Sequence, residues 1–192
     1  MTLLIFDWDD TLLPSTWLNA FSDDHAPLNE ISKSVAYLLT EARAHGDIAI
    51  VTNGTRGWVE SSCRQFMPQC LPLLKNIRIV SARSTYEPQY KDSPIMWKLL
   101  TFENIAANYS HVISIGDSHA ERHALLQLRN KRYTKTIKTE EYPTLDTFMR
   151  QLEMLPSIID VVVEYSGNID ISYESMQTEC TLQCLERPRE RA

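Results

Sequence analysis

Leu3-Leu4-Ile5-Phe6-Asp7-Trp8-Asp9-Asp10-Thr11 is an apolar run that ends abruptly in three carboxylates and a hydroxyl. A short apolar run followed by turn-type residues reads as a buried parallel strand whose carboxyl end delivers Asp7 and Asp9 into a crevice. Open α/β sheets bind their ligands at such strand ends. Acids this close repel one another and resist desolvation, so a bound cation or a shared proton is expected among them. A solvated acidic turn is the plain alternative for any single Asp-x-Asp. Two further polar clusters at predicted strand ends weigh against it here.

The chain downstream alternates helices and strands. Ile31, Val35, Leu38, Leu39 and Ala42 recur at helical spacing up to a His45-Gly46 stop. Residues 47–51 form a second buried strand that ends in Thr52-Asn53-Gly54, and a helix over about 57–67 follows, closed by Pro68. A third strand covers 77–81, and Ser93-Pro94 opens a helix that runs to about Asn108. The fourth strand, 112–115, ends in Gly116-Asp117-Ser118 and leads to a helix through Leu128. Residues 133–138 read as an edge strand and 144–155 as a helix. This rhythm predicts right-handed βαβ units on a mainly parallel sheet, a three-layer α/β/α Rossmann-like fold. At the end, 160–165 and 168–173 flank Ser166-Gly167 and predict a β-hairpin. Residues 1–173 are then one domain. Residues 174–192, without apolar periodicity and closing on Glu186-Arg187-Pro188-Arg189-Glu190-Arg191, read as a flexible tail.

With 192 residues and 43% hydrophobic composition, one core large enough to stand without staples is expected. No stretch approaches the roughly 18 apolar residues of a spanning helix, so no membrane partner is expected. Cys63, Cys70, Cys180 and Cys184 form no zinc-type CxxC pair. With no signal-peptide pattern at the start, a reducing, cytoplasmic setting is the expectation. A net charge of −6 disfavours nucleic acid as a partner. The cluster Lys131, Arg132, Lys135 and Lys138 is the one candidate basic patch.

Asp7-x-Asp9-x-Thr11, a hydrophobic strand ending in Thr52, a lysine, and a hydrophobic strand ending in Gly116-Asp117 occur in that order over about residues 1–140. The set resembles the haloacid dehalogenase (HAD) superfamily of phosphohydrolases. The resemblance implies a Mg²⁺-dependent phosphatase in which Asp7 attacks phosphorus to form an aspartyl-phosphate. Asp9 would protonate the leaving oxygen and then activate water. Thr52, the backbone N–H groups of Asn53 and Gly54, and a lysine would hold the phosphate. Asp7, the Asp9 carbonyl and Asp117 would form an all-oxygen shell for Mg²⁺.

Two lysines compete for the phosphate site. Lys98 lies within the apolar face Ile95, Leu99, Phe102, Ile105 and Ala106, where an ammonium is costly unless it meets a carboxylate or phosphate. Lys91 sits in the polar run 90–93, where a solvated role is the default, so Lys98 is preferred. Asp10 matches no motif position and reads as a solvated or capping acid. Glu121, four residues after Asp117, is expected to support the ion through water. His119 and His123 share a helical face without a third ligand and read as surface histidines.

Family members take their substrate preference mostly from cap domains inserted after the first or second motif, and the spacing here leaves no room for one. The resemblance therefore implies the capless branch, with an open site suited to an exposed phosphate on a macromolecule such as a phosphoprotein. Trp17 and Trp58 read either as apolar contacts at its mouth or as ordinary core residues. The alternatives are a small-molecule phosphatase roofed by a partner subunit and a non-catalytic binding or phosphoacceptor module. In a phosphoacceptor domain the lysine comes last, whereas Lys98 precedes Asp117. The oligomeric state is not set by the sequence.

Overall fold

The computed structural model describes residues 1–21 and 26–176. Its sheet comprises β1 (Thr2–Phe6), β2 (Asp47–Thr52), β3 (Arg78–Ser81), β4 (His111–Gly116), β5 (Tyr133–Lys138) and β6 (Ile169–Ser172). All neighbours pair parallel, in the order β3-β2-β1-β4-β5-β6. This is the Rossmann-type order, in keeping with the predicted α/β class, and its direction of winding reverses between β1 and β4. The helices are α1 (Ser15–Ala20), α2 (Leu28–His45), α3 (Trp58–Phe66), α4 (Leu71–Leu74), α5 (Ala82–Tyr86), α6 (Pro94–Ile105), α7 (His119–Leu126), α8 (Leu145–Glu164) and α9 (Tyr173–Met176), with a 3₁₀ turn at Pro68–Cys70.

Helices cover both faces of the sheet, which explains the unbroken apolar run of β1. Leu4 and Phe6 enter a core with Leu38 of α2 and Leu152 of α8, while Leu3 and Ile5 enter the opposite core with Phe102 of α6 and Leu125 of α7. The same alternation carries Asp7 to the α6 and α7 side.

The C-terminal expectations need correction. Residues 160–164 are the last turns of α8, and β6 pairs parallel with β5, so α8 is a crossover and no hairpin forms over 160–173. The local run Val161-Val162-Val163 favours a strand, but the buried stripe Leu152, Leu155, Ile158, Ile159, Val162 keeps helical spacing through it and packs on α2. Tertiary packing overrides the local preference. The edge strand beside β5 is therefore β6, and β5 is interior.

The predicted basic patch does not form. Lys135 is buried, and its ammonium donates to the carbonyls of Val162 (2.5 Å) and Val163 (2.8 Å) in the last turn of α8. Positive charge at a helix C-terminus is favourable. Lys131 pairs with Glu103, and Arg132 donates to the Ala106 carbonyl. Among the described residues no helix is long and apolar enough to cross a membrane. Of the stretch 174–192 read as a tail, residues 174–176 belong to the short helix α9, and 177–192, including Cys180 and Cys184, fall outside the described residues.

Candidate active site

The strand that carries Asp7 stays paired one residue beyond its formal end, because the Asp7 N–H donates to the Ile115 carbonyl of β4 at 2.9 Å. The chain then turns sharply. The Trp8 carbonyl accepts from the N–H groups of Leu12 and Leu13, both at 2.9 Å, and Asp10 adopts a left-handed φ of 51°. Trp8 is fully buried, and its indole donates to Ser62 Oγ at 2.9 Å, which pins the backbone between Asp7 and Asp9. Asp10 is the capping acid of the two options, and it is buried. Its carboxylate accepts from Thr16 N (2.8 Å) and Thr16 Oγ1 (2.5 Å) in the first turn of α1.

Lys98 reaches Asp7 across the second core. Its side chain is 0% exposed, and Nζ lies 2.5 Å from Asp7 Oδ1, 2.7 Å from Glu121 Oε1 and 2.6 Å from the Val51 carbonyl. An ammonium has three N–H bonds, and here each has an acceptor. Burial opposes its charge, but Asp7 and Glu121 outweigh that and raise the Lys98 pKa above the ordinary lysine value. Lys91 is exposed in the turn before α6. The buried stripe of α6 is Trp97, Lys98, Thr101, Phe102 and Ile105, with Ile95 48% exposed, so the face is rotated from the one predicted while still containing Lys98.

Glu121, expected to support an ion through water, makes direct bonds within the protein. One oxygen pairs with Lys98, and the other accepts from the Ser118 N–H at 3.1 Å and from the Ser118 hydroxyl, forming a capping box at the start of α7. Burial would raise its pKa, yet Lys98 and Ser118 hold it below the usual carboxylate range. The pattern Ser118-x-x-Glu121 is the sequence signal that marks this arrangement. Gly116 is needed where it stands, since a Cβ there would lie 2.8 Å from Glu121 Cγ and 3.3 Å from Asp7 Cβ.

Asp117 is also buried, and the charges that act on it are all acidic. Burial first, then Asp7, Glu121 and Asp10, push it up to about 8. Burial likewise pushes Asp7 up to about 7, against Lys98 and with help from Glu121 and Asp9. Three buried acids thus lie close together, and the one ammonium among them pairs with Asp7 and Glu121 and leaves Asp117 without a cation.

Asp9 faces the other way. Its two carboxylate oxygens accept from the Trp58 indole N–H at 3.0 and 3.2 Å, and from Thr52 Oγ1 at 3.3 Å. Thr52 Oγ1 in turn accepts from the Gly54 N–H at 2.8 Å. Asn53 sits beside them with its Oδ1 buried and without a protein partner. The structure thus gathers Asp7, Asp9, Thr52, Asn53, Gly54, Lys98 and Asp117 at the carboxyl edge of β1, β2 and β4. Sequence reasoning missed the hydrogen bond from Trp58 to Asp9. Trp17 instead stacks on Phe21, with ring centroids 5.9 Å apart. His119 and His123 are exposed on α7.

The donors fit a hard divalent cation. Asp7 and Asp117 offer buried carboxylate oxygens whose negative charge, with that of Glu121, exceeds what Lys98 offsets, and the Asp9 carbonyl would be the third donor of the expected set. Among the described residues no three His, Cys, Asp or Glu side chains are grouped so as to hold a metal ion by themselves. A cavity of about 210 Å³ borders the site on the β3 side, lined by Thr52, Arg56, Ser81 and Thr85 among others. A separate cavity of about 410 Å³ lies at the ends of β5 and β6, lined by His119, Lys138, Thr139 and Tyr173 among others.

No family model matches the chain, and no curated protein matches it. Among solved structures it is similar to a HAD family hydrolase from Deinococcus radiodurans R1, solved with bound phosphate and sodium. The two share 13% identity with a TM-score of 0.42, over 95% of this chain and 96% of that one.

Proposed function

We propose that the chain is a HAD-type, Mg²⁺-dependent phosphomonoester hydrolase that works through an aspartyl-phosphate on Asp7. The observation that carries this reading is the buried excess of acid around Asp7 at a strand end, next to a hydroxyl and backbone N–H groups suited to a phosphate. Such a charge surplus is costly unless a cation and a ligand make use of it.

Asp7 Oδ1 is held by Lys98, which leaves Oδ2 as the attacking oxygen. In the first half, the bond from Oδ2 to phosphorus forms as the bond to the leaving oxygen breaks, and Asp9 delivers a proton to that oxygen. In the second half, water attacks phosphorus, the bond to Oδ2 breaks, and Asp9 takes the proton back. A bound Mg²⁺ would supply charge neutralisation for the phosphate and the carboxylates. The Asn53 N–H would cradle a phosphate oxygen, and so would the Thr52 hydroxyl and the Gly54 N–H once they exchange their present bonds to Asp9 and to Thr52 Oγ1. All three Lys98 N–H bonds end on protein acceptors, so its task in this reading is to hold Asp7. Touching a phosphate oxygen would require one of those bonds to be exchanged.

The connections support an open site. Only α1 and α2 are described between β1 and β2, and only α3, a 3₁₀ turn and α4 lie between β2 and β3. An exposed phosphate on a macromolecule such as a phosphoprotein fits this better than a small metabolite that needs enclosure. The test is a panel of aryl phosphate, phosphopeptides and sugar phosphates, with Mg²⁺ or with chelator. Turnover with Mg²⁺, lost with chelator and highest on phosphopeptides, is expected. Absence of turnover on every ester, or full activity in Asp7→Asn, would overturn the reading.

A further inference from the structure

Asp7 and Asp9 are held by opposite kinds of partner. Asp7 meets the charged Lys98, whereas both oxygens of Asp9 meet the neutral indole N–H of Trp58. Trp58 is the first residue of α3, directly after Gly57, whose φ is 85°. Its ring lies against Gly54, where a Cβ would sit 2.4 Å from Trp58 Cδ1. The Ser62 hydroxyl donates to the Trp58 carbonyl at 2.6 Å and accepts from the Trp8 indole at 2.9 Å. The first turn of α3 is thereby tied to the residue between the two acids. Trp58 is fixed from both sides, and its indole can only donate. It holds a carboxylate in place without adding a cation that would compete with a metal ion nearby.

We propose that Trp58 is the positioning residue for Asp9: its indole N–H keeps the carboxyl group where it meets the leaving oxygen of the substrate. This rests on the phosphatase reading above. A residue that positions the acid matters in proportion to how much the leaving oxygen needs a proton. An alkoxide from phosphoserine needs one, and a nitrophenolate does not. A merely structural tryptophan would affect both substrates alike.

The experiment compares kcat/KM, which reports the steps through phosphorylation of the enzyme, for wild type and Trp58→Phe on a phosphoserine peptide and on p-nitrophenyl phosphate. The expected loss is about 10- to 100-fold on the peptide and under about 3-fold on the aryl ester. Equal losses on both, or none, would overturn the assignment. A second readout does not depend on turnover. Of the four tryptophan indole N–H signals in a ¹H–¹⁵N spectrum, the one lost in Trp58→Phe should shift in Asp9→Ala. If it stays in place, the assignment fails even where turnover is normal. If it shifts while the wild type turns over neither ester, the phosphatase reading fails and takes the acid's role with it.

Discussion

Two lysines are buried in this molecule, Lys98 at 0% and Lys135 at 1% exposure, and they are held in opposite ways. Lys98 donates to two carboxylates and one carbonyl, whereas Lys135 donates to the terminal carbonyls of α8. Burial acts against both charges. For Lys98 the carboxylates reverse it and raise the pKa, while burial leaves Lys135 pushed down to about 8. An ammonium that caps a helix completes the backbone's own hydrogen bonding. One that gathers carboxylates at a strand end would, in the proposed function, hold charge for a ligand. Both are fully enclosed between the sheet and a covering helix layer, so the partners tell the two roles apart, and depth does not.

The sharpest way to break that distinction is Lys98→Met. Removing one partner leaves Asp7 and Glu121 buried and facing each other, a loss of about 3–5 kcal/mol by chemical denaturation. A loss under about 1 kcal/mol would mean the carboxylates do not depend on the lysine. Next in size is the response to Mg²⁺. At about 100 times the dissociation constant, an ion bound only by the folded state adds about 2.7 kcal/mol. The melting temperature of the wild type should rise with Mg²⁺ accordingly, and that of Asp117→Asn should not.

Lys135→Met should cost the least. The charge no longer needs burying, but two helix-end carbonyls lose a donor, and the net change expected near neutral pH is within about 2 kcal/mol in either direction, with turnover unchanged. Alkaline pH separates the two lysines by sign. Lys135 titrates in the folded chain at about 8 and ordinarily at 10.5, so between those values only the unfolded chain holds the extra proton and stability rises with pH. Its full cost is present below about 8, and Lys135→Met should lack the rise. The folded value of Lys98 lies above 10.5, so its stabilisation is complete below that pH and lost only beyond it.

The two lysines also mark what could be read from the chain. Lys98 was legible because its neighbours at helical spacing are apolar, although Trp97 rather than Ile95 flanks it in the buried stripe. Lys135 reads from the sequence as part of a basic patch, because Lys131, Arg132 and Lys138 stand close to it along the chain, whereas α8 covers it in the fold. That error has the same origin as the missed end of α8. Val161-Val162-Val163 and Ser166-Gly167 satisfy local hairpin rules, while the packing of α8 on α2 is a long-range fact. The acids at the ends of β1 and β4 and the hydroxyl at the end of β2 were legible as breaks in apolar runs. The Trp58 bond to Asp9 joins residues 49 apart, and nothing in the neighbourhood of either residue announces it. Glu121 was readable as a capping-box acid from Ser118-x-x-Glu121, but its simultaneous grip on Lys98 comes only from the crossing of α6 and α7.

The most direct test of the account is the covalent state of Asp7. The wild type, mixed with Mg²⁺ and a turned-over phosphate ester and quenched in acid, should carry one phosphoryl group on the peptide containing Asp7, as read by mass spectrometry. Asp7→Asn should carry none. A phosphoryl group on any other residue, or sustained turnover by Asp7→Asn without one, would contradict it.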